Sequence, residues 1–240
     1  ESVLERLRRP TSDRPLELLI SPHKKLSRIP WNALVVAVGV DDRRIRLIER
    51  AVVAQIPMLS ALLESGAERV SGPALVWLAG DVANQLEQIA WGLDADTLIA
   101  NCEIPADSHH VLGGSLSENL LSDRWGLAYV ASHGSGDRLG QYIEAGEKLT
   151  AARALSLPWP HNVVLAACHV GRVDDSGEGE PLGFVVAALA GGARTVVAGL
   201  NLVSDTGTGE IGSILIERLD GNTRLDHALR AAQLEFLDDS

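Results

Sequence analysis

Two short stretches of this 240-residue chain carry residue types suited to acyl transfer. Residues 126–131 form an apolar run that leads into Ser132-His133-Gly134, and 35 residues beyond His133 the run at 162–167 leads into Cys168, with Gly171 close behind. A cysteine attacks a carbonyl carbon as its thiolate, and a nearby imidazole both lowers the thiol pKa and later returns the proton to a leaving amine. Both runs read as strands. In an open parallel sheet ligands bind outside the carboxyl ends of the strands, so this spacing predicts that His133 and Cys168 meet at one rim as base and nucleophile. Gly134 allows close backbone approach, and its N–H together with that of Cys168 can hold an oxyanion. One such donor is worth about 10²–10³ in rate. A cysteine ending a buried strand can also be a small core residue, and a histidine before glycine a turn residue. The joint placement of the pair favours chemistry.

Other constellations are weaker. Gly207-Thr208-Gly209-Glu210-Ile211-Gly212 matches the G-x-G-x-x-G dinucleotide pattern. Only 28 residues follow it, too few for the second strand and the ribose-binding acid of a nucleotide half, so a flexible helix entry is the simpler reading. No G-x-x-x-x-G-K-[ST] or G-x-S-x-G occurs, which leaves a P-loop NTPase and an α/β-hydrolase without their defining residues. Cys102, His109 and His110 are metal-ligating types, but adjacent histidines point apart in extended chain and zinc wants three or four convergent ligands. No metal and no organic cofactor is expected. His23, His161 and His227 have no partner in sequence and read as surface or loop residues. The stretch 174–180 (Asp-Asp-Ser-Gly-Glu-Gly-Glu) reads as a solvated acidic loop, with a mobile lid as the sharper alternative.

The elements that must position these residues alternate along the chain. Strands are expected at 16–20, 34–40, 45–48, 51–56, 74–79, 97–100, 126–131, 162–167 and 194–200, with Asp41-Asp42 as a hairpin turn between the second and third. Helices are expected from Pro57 to about 64, over 82–91, from a Ser115 or Ser117 cap to about 123, over 149–155, from Pro181 to Gly191-Gly192, and over 208–219 and 223–237. Continuous apolar strands alternating with helices predict an α/β fold: a mostly parallel sheet with helices on both faces and an N-terminal β-hairpin region.

Composition narrows the classes. With 46% hydrophobic and 22% charged residues the chain is an ordinary globular protein, long enough for one large domain or two small ones. Aromatic residues make up 4% and the net charge is −11, so a stacking platform for nucleic acid is excluded as a reading. Residues 1–50 carry 11 basic and 7 acidic side chains and the remainder 10 and 25, so an exposed cleft after residue 50 favours a cationic ligand. Two cysteines and no signal peptide fit a reducing cytoplasm. The longest uncharged run, residues 154–171, contains Pro158 and Pro160 and is not a membrane span. The start at Glu1 fits a piece of a larger protein.

The motifs together resemble the CHAT peptidases, caspase-like domains often found beside tetratricopeptide repeats in bacteria and related to caspases, separases and gingipains. Leu18-Leu19-Ile20-Ser21-Pro22-His23 and Leu26-Ser27-Arg28-Ile29-Pro30-Trp31-Asn32-Ala33-Leu34 look like the family's opening strand and its hydrophobic-Pro-aromatic turn. Tyr129-Val130-Ala131-Ser132-His133-Gly134 is similar to its His-Gly motif, and Val163-Val164-Leu165-Ala166-Ala167-Cys168-His169-Val170-Gly171 to its Cys motif. Gly191-Gly192-Ala193-Arg194-Thr195-Val196-Val197-Ala198 and Val203-Ser204-Asp205 look like the helix end and strand that follow.

The resemblance covers nearly the whole chain and implies one caspase-like unit, with N-terminal strands and hairpin over 1–70 and a catalytic part over 71–240. It implies Cys168 as nucleophile, His133 as general base and acid, Gly134 as a backbone oxyanion donor, and Asp205 at the base of a pocket for Arg or Lys. A protein substrate and a regulatory domain or partner, of the tetratricopeptide-like kind, follow from it too. Where the family usually has Glu-Thr after the nucleophile this chain has His169-Val170, and His169 would point away from Cys168 if the strand continued. The alternative from another class is a caspase-like scaffold or binding module with little turnover.

Overall fold

The structure is a computed structural model that describes residues 15–22, 24–39, 41–57, 69–79, 109–112, 115–121, 125–135, 141–145, 147–173, 183–219 and 222–238. The expected helices at 58–64 and 82–91, the strand at 97–100, Cys102 and the acidic stretch 174–180 lie outside these residues.

Five strands make the central sheet: β5 (Ala74–Leu78), β6 (His109–Leu112), β7 (Leu127–Ala131), β11 (Asn162–Ala166) and β12 (Thr195–Ala198). They lie in the order β12-β11-β7-β5-β6 and every pairing is parallel. Such a sheet must be covered on both faces, which is why its strands read as unbroken apolar runs. All five residues of β5 and of β7 are buried.

The period-2 alternation still sorts each strand between two cores. Leu75, Trp77, Ala128, Val130, Val163 and Leu165 face one side, where Ala154 of α1 (Ala151–Ala154) and Phe184, Ala187 and Ala188 of α2 (Phe184–Ala190) cover them. Val76, Leu78, Leu127, Tyr129 and Val164 face the other side. There they meet Leu215 and Ile216 of α3 (Asp205–Glu217) and Leu225, Ala228 and Ala232 of α4 (Leu225–Asp238).

The G-x-G-x-x-G stretch belongs to this packing. It lies inside α3, so it is helix interior rather than a flexible entry, and a Cβ at Gly212 would stand 2.4 Å from the Tyr129 hydroxyl. The glycine lets the helix sit directly on the tyrosine. Burial pushes the Tyr129 phenol up to about 12, so it stays neutral against the helix.

The N-terminal region forms its own small cluster. β1 (Leu16–Ile20) pairs parallel with β4 (Ala51–Gln55), and β2 (Val35–Val38) pairs antiparallel with β3 (Arg44–Arg46) through the expected Asp41-Asp42 turn, where Asp42 takes a φ of 59°. Leu47 and Ala51 are its buried centre. It is tied to the rest through α4: the Arg230 guanidinium donates to the carbonyls of Ile48 (2.8 Å) and Glu49 (3.2 Å), and Asn32 donates to Gln233 at 3.2 Å.

Three sequence expectations need correction. Residues 115–121 form a turn rather than the start of a helix. The helix expected at 149–155 is only α1, because Leu149 and Thr150 end a strand; β9 (Tyr142–Ala145) and β10 (Glu147–Thr150) make a hairpin that the charged residues Glu144, Glu147 and Lys148 disguise as loop. His109 and His110 open β6, a strand absent from the expected set.

Candidate active site

β7 and β11 are hydrogen-bonded neighbours in the register Ala131↔Ala166. His133 and Cys168 each stand two residues beyond that pair, at the same carboxyl-end rim of the sheet. Past β7 the Ser132 N–H still donates to the Ala166 carbonyl (3.2 Å), so the two exits travel together for one more residue.

Then they diverge by different means. After His133 the chain joins a small antiparallel ribbon, β8 (Gly134–Ser135) against β9, with the Glu144 N–H donating to the His133 carbonyl at 3.0 Å. Antiparallel ladders alternate bonded and non-bonded pairs, so the Gly134↔Ile143 pair is non-bonded and the Gly134 N–H points away from β9. The ladder leaves that donor unspent.

Gly134 and Cys168 touch through their backbones. A Cβ at Gly134 would lie 2.4 Å from the Cys168 carbonyl oxygen, and 3.1 Å from both the Cys168 nitrogen and the Ala167 Cβ. No side chain fits there, so the glycine expected for substrate approach is also demanded by the turn at Cys168. His133, Gly134 and Cys168 are all half-buried.

β11 ends at Ala166 and residues 168–171 form a turn, so the strand does not continue to His169. His169 takes a left-handed φ of 64°, and the premise that it alternates away from Cys168 along an extended chain is replaced by this turn. Its Nδ1 is buried with no hydrogen-bond partner among the described residues, and burial together with the positive charge of Arg172 lowers its pKa. It is a neutral neighbour of Cys168 at neutral pH.

The turn is laced to the exit of β12. His169 N–H donates to Asn201 (3.1 Å), Gly171 N–H to Gly199 (2.9 Å), and the Arg172 guanidinium to the Leu200 carbonyl (2.9 Å) and the Asn201 side chain (3.0 Å). The sulfur joins the same lacing: the Val203 N–H donates to Cys168 Sγ at 3.5 Å, and the thiol donates to the Val203 carbonyl at 3.8 Å. This pair of contacts suits the neutral thiol, which accepts and donates at once. The thiolate keeps only the N–H.

Ser204 follows and caps α3 by accepting from the Gly207 N–H at 3.4 Å. Asp205 therefore opens α3 two residues beyond the Val203 peptide that touches Sγ; its side chain is outside the described residues.

Behind the turn a cavity of about 930 Å³ runs between the N-terminal strands and the β12 edge. Gly171, Gly199 and Val203 form part of its wall, whereas Cys168 and His133 do not.

Sequence reasoning missed one polar residue here. Gln141 is 1% exposed. It donates to the carbonyls of Arg172 (2.9 Å) and His169 (3.4 Å) and accepts from the Phe184 N–H at 2.8 Å. An uncharged polar residue ahead of a short alternating strand was the only signal it gave. Among the described residues no group of three His, Cys, Asp or Glu side chains is placed to hold a metal ion.

The sheet has a known relative. The separase–securin complex of Saccharomyces cerevisiae contains a chain similar to this one, with a TM-score of 0.58 at 18% identity over 87% of this chain. The match spans 14% of that chain, so the likeness is one of fold over a small part of a larger protein. No curated protein matches the chain. A family model, the CHAT domain, matches residues 1–240. With a doubly covered parallel sheet of separase type and a family match over its full length, the chain belongs to the CHAT-domain family.

Proposed function

We propose that this domain is a cysteine endopeptidase in which Cys168 is the nucleophile and His133 the general base and acid. The observation that carries this reading is the backbone contact of Gly134 with Cys168 at the rim where the His-Gly and Cys motifs end, with the Gly134 N–H left out of the β8-β9 ladder. His133 takes the Cys168 proton, and the sulfur leaves the Val203 cradle, whose carbonyl no longer suits it once charged. Sγ attacks the scissile carbonyl carbon, and the oxyanion that forms is held by the N–H groups of Gly134 and Cys168. Collapse breaks the C–N bond while the imidazolium protonates the departing amine. Water, deprotonated by His133, then hydrolyses the thioester and frees the thiol.

Cleavage after Arg or Lys is the finer part of the proposal, with Asp205 as the acidic group of the pocket. Its support is the acidic excess after residue 50 and the position of Asp205 two residues from the Val203 peptide that touches Sγ. A protein substrate, activation by a neighbouring domain or partner such as a tetratricopeptide-like array, a cytoplasmic location, and one catalytic unit with its N-terminal part over 1–70 complete the reading.

The test is incubation with short fluorogenic peptides ending in Arg, Lys, Asp or Leu. Cys168→Ala should lower cleavage by at least about 10⁴-fold, and Asp205→Lys should abolish cleavage after Arg with the fold intact. Cleavage that survives Cys168→Ala refutes the nucleophile assignment, and retained Arg preference in Asp205→Lys refutes the pocket. No cleavage of any peptide, with or without candidate activators, favours the scaffold.

A further inference from the structure

A buried glutamine in an apolar core needs a reason, because a residue that merely filled the space beside Ile143, Val170 and Phe184 would be apolar. The side-chain amide of Gln141 is fully engaged. Its Nε2 donates to the carbonyls of Arg172 and His169, its Oε1 accepts from the Phe184 N–H, and its own carbonyl accepts from the Ala151 N–H at 2.9 Å. Two acceptors and one donor converge on this side chain. A carboxamide has two donor hydrogens and one acceptor oxygen, so it meets all three, whereas a carboxylate cannot donate to the carbonyls.

The partners show what the side chain joins. His169 belongs to the turn that begins at Cys168, Arg172 follows directly after it, and Phe184 is the first residue of α2. Gly183 confirms the closeness of the joint from the other side: a Cβ there would lie 2.7 Å from the Arg172 carbonyl and 3.0 Å from Gln141 Oε1. His169 holds a left-handed φ next to the nucleophile, a shape that persists only when its surroundings fix it. Its N–H is fixed by Asn201, and its carbonyl is held by the Arg172 N–H (3.0 Å) and by Gln141.

We infer that Gln141 is a positioning residue of this site: its buried carboxamide fixes the Cys168 turn to the start of α2 and thereby sets the aim of the sulfur relative to the Gly134 N–H. The catalytic consequence rests on the peptidase reading above. The mechanical one does not.

The experiment uses the full chain and Gln141→Met, which keeps the length and volume and removes every side-chain hydrogen bond of the residue. Folding is checked by circular dichroism and melting temperature, kcat and KM are measured on a peptide that the parent cleaves, and the rate of Cys168 alkylation by iodoacetamide is followed against pH by mass spectrometry of the Cys168 peptide. A misplacement of about an ångström predicts a fall in kcat on the order of 10–100-fold with KM nearly unchanged, together with a displaced alkylation profile. In Gln141→Glu the ratio of its kcat to that of the parent should rise as pH is lowered, because a protonated carboxyl regains one donor. Parental kcat and a parental alkylation profile in Gln141→Met overturn the inference, even if the melting temperature falls. Should that variant not fold, Gly183→Ala opens the same joint and is read the same way. If the parent cleaves no peptide, the peptidase reading fails by itself and the alkylation profile alone decides the role of Gln141.

Discussion

The rim that carries Cys168 and the N-terminal strands are built by opposite means. At the rim, backbone meets backbone: Gly134 lies against Cys168, Gly171 N–H donates to Gly199, and a Cβ at Gly199 would come within 2.7 Å of the Ala167 carbonyl. In the N-terminal region the sheets are two-stranded, and large apolar residues stay open to solvent, with Leu19 57% and Val38 62% exposed. Its tie to the sheet domain runs largely through long polar side chains reaching from α4, foremost Arg230. Contacts made of backbone tolerate almost no substitution and hold atoms to fractions of an ångström. Contacts made by an arginine fork hold a unit in place while leaving it able to detach as a body. On the proposed peptidase reading the site must hold a sulfur and an oxyanion donor in fixed relation, which needs the first kind.

The sharpest way to break this contrast is at Gly134. Gly134→Val drives a side chain into the Cys168 carbonyl, and peptide cleavage should fall at least about 10²–10³-fold, with a stability loss of about 1–3 kcal/mol by urea unfolding. Retained activity would mean that the two backbones can part without harm, and the rim would be no more exacting than the N-terminal strands.

Arg230→Met is the matching change on the other side. It keeps the aliphatic stem and removes two charge-assisted bonds to the Ile48 and Glu49 carbonyls, at a cost of about 1.5–3 kcal/mol. Amide hydrogen exchange should accelerate over residues 47–56 while β7 and β11 keep their protection. Uniform acceleration over the whole chain would show that the N-terminal strands are not a separable unit.

The smallest effect sharpens the rim itself. His169→Gly relieves the left-handed φ of 64° and should stabilise the fold by about 0.5–1 kcal/mol. It should also flatten a pH dependence. The pKa of folded His169 lies below the unfolded value of about 6.5, so between the two the unfolded chain binds more protons, and stability falls as pH drops below about 6.5. An unchanged slope in His169→Gly would assign that dependence to another group.

What could be read in advance follows the physics of each segment. β5, β7 and β11 were legible because strands buried on both faces must be continuously apolar, and β7 and β11 point their ends at His133 and Cys168. The Asp41-Asp42 hairpin was legible from its turn chemistry. β6 was not, since it opens with two histidines, nor was the β9-β10 hairpin, whose strands carry Glu144, Glu147 and Lys148. The G-x-G-x-x-G stretch misled for a related reason: Gly212 answers to Tyr129, 83 positions earlier.

By itself the sequence determined the fold class, the two motifs and their arrival at strand ends, because apolar periodicity and residue type are local properties. Only the tertiary structure decided that Gly134 must be glycine for the sake of Cys168, that the thiol rests between the N–H and carbonyl of Val203, that the chain turns at His169, and that Gln141 holds that turn. Each of these depends on a main-chain atom being met by a residue 28 to 43 positions away. Main-chain atoms are the same in every residue, so no pattern of side chains announces where they will meet.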